Sequence, residues 1–209
     1  MTNTAVDTRT LILEAARRRL VADGYAGLST RKVADEAHVP LSQLHYHFGS
    51  KQGLVLALLA EENLRRLDRQ TTMYAEDMPL WVRYERACDF LEDDLDSGYV
   101  RVLQEMIAAG WSNSEVGQAV RTLIGGWFEL LVEVAREAER RHGPLGPFTA
   151  EEIATLIGTA FFGGEALLLL GFDRRVLPIR AALRRISVAI RQLEAAPERT
   201  PDAGTPTRS

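Results

Sequence analysis

Apolar residues recur at helical spacing through nearly the whole chain, and no segment shows the alternation of a strand. Leu13, Ala16 and Leu20 open the pattern at i, i+3 and i+7, with Gly24 as a stop. Ser29 can cap a short helix to about residue 37, and Pro40 suits the first position of another ending near His47. Gly49 and Ser50 break that helix, and Ser50 caps a long one over 51–73. Further helices are expected over 79–95, 99–109, 114–141, 151–171 and 176–195. Thr149-Ala150-Glu151-Glu152 is a capping box, and Gly143-Pro144 ends the helix before it. The fold class is therefore all-α, about nine helices, the first three short, with residues 197–209 a disordered tail poor in apolar residues.

At 209 residues and 46% hydrophobic, the chain can bury a real core. Its one cysteine, Cys88, excludes an intrachain disulfide or a cysteine-rich zinc site, and a cytoplasmic location is expected. The N-terminus carries no apolar signal core. Residues 153–172 are long and apolar enough to suggest a membrane span, but Glu165 and four glycines interrupt them. A buried helix of an oligomer, with no membrane partner, is the better reading. The net charge of −4 argues against nucleic acid only as a sum. Residues 1–55 hold seven Lys and Arg against five Asp and Glu; the remainder holds 18 against 24. Both lysines, and three of the four histidines, fall in the first 51 residues.

Three short helices with a tight turn between the second and third describe a helix-turn-helix, whose last helix fits the major groove. Val33, Ala34, Ala37, Val39, Leu44 and Phe48 are the apolar positions that would pack it. Thr30, Arg31, Leu41, Ser42, Gln43, His45, Tyr46, His47 and Lys51 are left outside or at helix starts. His45 and His47 point to different helix faces, and no carboxylate or thiol completes a metal site, so no metal and no cofactor is expected.

These residues resemble the tetracycline-repressor-like (TetR/AcrR) transcriptional regulators. The resemblance lies in Ser29-x-Arg31-x-Val33-Ala34-x-x-Ala37-x-Val39 and in Leu44-His45-Tyr46-His47-Phe48-x-Ser50-Lys51-x-x-Leu54. It covers about a quarter of the chain, roughly residues 9–56. His38 stands where the family often has Gly, His45 where it usually has Tyr, and Leu41 at an often polar position. By position, the resemblance implies phosphate contacts from Thr30, Tyr46, His47 and Lys51. It implies base-edge contacts from Arg31, Leu41, Ser42, Gln43 and His45.

The last helix carries a heptad of Val176, Ile179, Leu183, Ile186, Ile190 and Leu193, a stripe that must pack on another helix. With the apolar helix before it, it suggests a four-helix dimer interface, as in the resembling family. The middle of the chain holds Trp81, Tyr84, Glu105, Met106, Trp111, Trp127, Phe128, Phe161 and Glu165. Each aromatic is by itself an ordinary core residue; as a set they can line a pocket for a small-molecule effector, which the resemblance also implies. Glu165, a carboxylate in an apolar helix, needs a partner, either an Arg across the dimer or a cationic or hydroxylated ligand.

The expected organisation is a DNA-binding head over 1–52, an effector-binding and dimerisation body over 53–196, and the tail. The expected function is a homodimeric, ligand-released repressor of a near-palindromic double-stranded operator. The alternatives are a helical dimerising ligand-binding or interaction protein without DNA binding, and a helical enzyme. No catalytic set of residues supports the last.

Overall fold

A computed structural model describes residues 7–195. Among them the helices are α1 (Thr8–Gly27), α2 (Thr30–Glu36), α3 (Leu41–Phe48), α4 (Lys51–Tyr74), α5 (Leu80–Asp96), α6 (Tyr99–Gly110), α7 (Ser114–His142), α8 (Ala150–Leu169) and α9 (Ile179–Ala195). The described residues contain no strand. The tail over 197–209 lies outside the described residues.

α1 is interrupted at the expected stop, Gly24, whose backbone leaves helical geometry. Gly24 takes a φ of 66°, kinks the axis, and a further turn follows to Gly27. Ser50 caps α4 as expected, its hydroxyl accepting from the Gly53 amide at 3.0 Å. Thr149 and Glu152 form the reciprocal capping box. Ser29 holds the N-cap position of α2 without a side-chain bond, and Pro40 and Pro79 are N-caps, one place before the helix. α9 begins at Ile179, three residues later than expected. Pro178 is the cause: it bars Leu177 from helical geometry, and its carbonyl accepts the first bond of the helix, from Ala182 at 2.8 Å.

One continuous core runs from Ile12 of α1 through Leu44, Leu54, Tyr99 and Met106 to Leu183. The expected division at 52/53 therefore falls in the first turn of α4. Leu54, Val55, Leu58 and Leu59 of that helix join the head's core. α6 is the central helix of the body and touches α1, α4, α5, α7 and α8.

Much of the heptad stripe of α9 packs within the chain. Leu183 is buried, while Ile186, Ile190 and Leu193 line an interior cavity. Ile179 packs on Gly164, and Val176 lies in the preceding turn, 70% exposed. Polar contacts hold α9 this way round. Arg180 pairs with Glu92 at 2.7 Å, Arg184 with Asp89 at 2.6 Å, and Glu194 caps α5 by accepting from the Leu80 and Trp81 amides. The heptad demands a helical neighbour, and α5 of the same chain supplies it.

α8 is long and apolar enough to cross a membrane, with mean hydropathy 1.4 over its most apolar stretch. One face packs on α7 and α9, where Gly158 takes the Phe128 ring and Gly164 takes Ile179 and Leu183. The other face, with Leu156, Thr159, Ala160 and Gly163, is exposed.

Candidate nucleic-acid interface and interior cavity

The α2–α3 unit is built from four buried apolar residues, two half-buried ones and one unusual backbone angle. Val33, Ala34, Ala37 and Leu44 are buried, and Val39 and Phe48 pack against them. His38 takes a φ of 56°, the one positive value outside glycine among the described residues. Such a left-handed residue turns the chain sharply, and His tolerates it better than a bulky or β-branched side chain. The amide of Val39 then donates to Ala34 at 3.0 Å, closing the turn. Glycine is required twice at the next junction. Gly49 has a φ of 69°, and a Cβ on Gly53 would stand 2.2 Å from the Phe48 carbonyl oxygen.

This geometry sorts the nine expected contact residues. Arg31, Ser42, Gln43, His45 and Tyr46 are exposed, Tyr46 at 83%. Thr30, Leu41, His47 and Lys51 are half-buried. Leu41 packs on the core, so its side chain is already engaged. His45 Nδ1 lies 3.0 Å from the Gly49 carbonyl oxygen, leaving Nε2 free. Lys51 Nζ sits 4.5 Å from the centre of the Tyr25 ring and donates to the Ala26 carbonyl, which clamps α4 to the end of α1.

The head's positive charge is less available than its count suggests. Arg17 pairs with Glu62, Arg18 with Glu36 and Arg19 with Asp23. Among the described residues, Arg9, Arg31 and Lys51 have no carboxylate within ion-pair distance. Arg9 reaches over the Phe48 ring at the end of α3.

The body holds a partly open cavity of about 90 Å³ between α4, α5, α6, α7 and α8. Of the residues expected there, Tyr84, Trp127, Phe161 and Glu165 line it, joined by Tyr74, Tyr99 and Phe162. The others lie elsewhere. Met106 is in the core; Trp111 is 83% exposed; Trp81 lies under Arg191. Phe128 stacks on Phe162 from behind, and Glu105 is not part of the lining. Helical periodicity could not separate these, because the core and the cavity wall are both apolar.

Glu165 accepts from Gln104 Nε2 at 3.1 Å, and no arginine among the described residues of this chain pairs with it. Burial pushes its carboxyl up to about 7, helped slightly by the charge of Asp94 and opposed by the Gln104 bond. Asp94 is held between two arginines, accepting from Arg66 Nε at 2.9 Å and from Arg69 at 3.0 Å. Burial raises it nonetheless, against both guanidinium groups. Burial also pushes Cys88 up to about 11, an inert core thiol.

Asn63, on α4, is a node that the sequence did not announce. It is 5% exposed; its Oδ1 accepts from the Tyr99 hydroxyl at 2.9 Å and from Trp127 Nε1 at 2.7 Å. Its amide donates to the Leu123 carbonyl at 3.3 Å. One side chain thus ties the helix leaving the head to two walls of the cavity. Nearer the head, Asn113 caps α7 and donates to Gln52 of α4 at 3.3 Å.

The raised Glu165 carboxyl makes a stability prediction. A carboxyl whose folded pKa exceeds its unfolded value favours the fold when protonated, and that contribution is lost as pH rises through 7. Glu165→Gln is therefore expected to raise Tm at pH 8 and to change it much less at pH 5. Equal shifts at the two pH values in thermal denaturation would refute this.

Residues 12–58 match the family described as bacterial regulatory proteins, tetR family. Over 59 residues the chain is 39% identical to YvkB of Bacillus subtilis, an uncharacterized HTH-type transcriptional regulator. That match covers 28% of this chain and 31% of YvkB, so the chain spans about a third of that relative. Solved structures extend the likeness in fold. A TetR transcription regulator from Haloarcula marismortui superposes with TM-score 0.72 at 19% identity, covering 88% of this chain and 96% of that one. For the reduced form of NemR from E. coli the values are 0.67, 17%, 91% and 99%. A Saccharomonospora viridis transcriptional regulator in complex with choline gives 0.70, 19%, 88% and 95%.

Proposed function

We propose that this chain, which carries the tetR-family head on the tetR-family fold, is a dimeric, effector-controlled transcriptional regulator. The observation that carries the reading is the α2–α3 unit. It is a packed helix-turn-helix whose second helix exposes Ser42, Gln43, His45 and Tyr46 on one protruding end. Arg31 and Gln43 are free to reach base edges, as guanine and adenine contacts require. Thr30, Tyr46, His47 and Lys51 are the phosphate contacts, and Lys51 sits in the first turn of α4, where free amides favour an anion. Leu41 contributes at most an apolar edge.

The head spans residues 1–52 together with the start of α4, and the body follows. The partner surface is the outer face of α8, with the outer residues Ala182, Arg185 and Val188 of α9. A helix this apolar with one side bare calls for a cover, and small residues such as Ala160 and Gly163 permit close approach. A dimer carries two reading helices and hence a near-palindromic operator. Such a regulator works in the cytoplasm, on DNA, and a small molecule in the cavity shifts a two-state equilibrium of the dimer by its differential affinity. The strut from α4 through Asn63 connects the two sites. The relatives are regulators, which does not favour a helical binding protein without DNA contact, or an enzyme.

Selection of bound sequences from a random DNA pool is the test. Two half-sites about one helical turn apart, or a multiple of it, are expected. Gln43→Ala is expected to relax preference at one base position, by about 1–3 kcal/mol. Recovery of no enriched sequence would overturn the reading.

A further inference from the structure

The cavity beside Glu165 is the first of two adjoining lobes. A second space of about 250 Å³ shares the walls Tyr74, Tyr84, Leu131 and Ile157. The second lobe is lined by Leu, Ile, Val and Ala from α5, α7, α8 and α9, and no charged residue lines it. The polar groups are confined to the first lobe, and they are unbalanced. The Tyr84 hydroxyl is spent on the Leu183 carbonyl at 2.9 Å, and the Tyr99 hydroxyl and the Trp127 ring N–H on Asn63. Asp94 is neutralised by Arg66 and Arg69. Among what remains are two acceptors with no charged partner among the described residues. Glu165 has only the neutral Gln104, and the amide oxygen of Gln70, a residue 7% exposed, has no partner. Six aromatic side chains, Tyr74, Tyr84, Tyr99, Trp127, Phe161 and Phe162, line the same lobe.

We propose that the cavity binds an amphipathic organic cation, its ammonium head between Glu165, Gln70 and the aromatic rings, its hydrocarbon chain in the second lobe. The inference rests on the reading of this cavity as the effector site. A carboxylate with no counter-charge in a lobe lined by aromatic side chains offers a cation both Coulomb attraction and cation–π contact. The same lobe rejects a fatty carboxylate, since Arg66 and Arg69 are committed to Asp94 and no other cation lines it. The apolar lobe supplies the area that makes a tailed ligand bind more tightly than its head alone.

Glu165 must be ionised to hold the cation, so binding expels its proton. The ionisable groups along the first lobe are Tyr74, Tyr84, Asp94, Tyr99 and Glu165. The tyrosines are raised by burial and stay neutral, and α7 brings only Trp127, Leu130 and Leu131 to this lobe. From α9, Arg180 and Arg184 turn away to Glu92 and Asp89. Glu165 is thus the group that titrates near neutrality there.

Isothermal titration of the whole protein with decyltrimethylammonium below its micellar range tests this, since that head has no proton of its own. Binding is expected to be at least tenfold tighter than for decanol, decanoate or tetramethylammonium. It is expected to weaken about 100-fold from pH 8 to pH 5, roughly tenfold per unit below 7. In Glu165→Gln the affinity should drop and the pH dependence vanish. Equal or tighter binding of decanoate, or wild-type affinity that is flat or rises toward low pH, would overturn the proposal. Tetramethylammonium binding as tightly as the tailed cation would do so too. None of these results touches DNA binding, and failure of the DNA selection would leave them standing.

Discussion

Leu44→Ala is expected to abolish operator binding although its side chain faces away from the reading surface. Leu44 is fully buried, the one buried residue of α3, and it anchors that helix on α1 and α2. An eight-residue helix has too little internal cooperativity to persist without its packing. Truncating a fully buried leucine costs about 2–5 kcal/mol, as lost transfer energy plus the cavity left behind. The loss falls on the element that must be rigid to read a groove. Affinity for every sequence should fall together, in contrast to Gln43→Ala, which should alter preference at one position. Gel-shift titration against a panel of operator variants separates the two patterns. Affinity within threefold of wild type in Leu44→Ala would show that α3 is not held as described.

Asn63→Leu is the second large effect. Leucine is near in size to asparagine but accepts nothing, so the buried Tyr99 hydroxyl and the Trp127 ring N–H lose their acceptor at once. Each buried orphan donor costs about 1–3 kcal/mol, so a loss of about 2–5 kcal/mol in chemical denaturation is expected. A double-mutant cycle checks the cause. Tyr99→Phe should be destabilising alone and neutral or stabilising in the Asn63→Leu background, because it removes the orphan. Additive losses would disprove the shared acceptor. The same substitution cuts the strut between α4 and the cavity. A residual head that still bound DNA in Asn63→Leu should therefore respond less to an effector.

These two residues stand at opposite ends of legibility. Leu44 was readable, because an apolar residue at helical spacing in a short amphipathic segment has one place to go. Asn63 was not, because a polar residue on a long helix is ordinarily solvated, and only the approach of Tyr99 and Trp127 from distant segments makes it a node. His38 was marked in the sequence only as standing where the resembling family often has Gly, and the need for glycine at 53 depends on the Phe48 carbonyl folding back on it. Lys51 was readable as a cation at a helix start, but its clamp on Tyr25 and Ala26 was not.

The heptad of α9 shows the limit most sharply. A 3-4 repeat specifies that a helix must cover it, yet both a partner subunit and α5 of the same chain satisfy it, and Arg180, Arg184 and Glu194 choose α5. The charge asymmetry has the same form. Counting found a basic head, while the geometry spends Arg17, Arg18 and Arg19 on nearby carboxylates.

Local physics is what the amino-acid sequence determined alone. Helical periodicity, caps and breakers made the chain all-α, and the short helices around His38 made a helix-turn-helix, since those signals act within a few residues. Which apolar faces meet, which walls enclose a void, and which buried polar groups are left without a partner were decided only in three dimensions. Those outcomes depend on contacts between segments up to about a hundred residues apart, such as Tyr84 with Leu183. No local spacing encodes them.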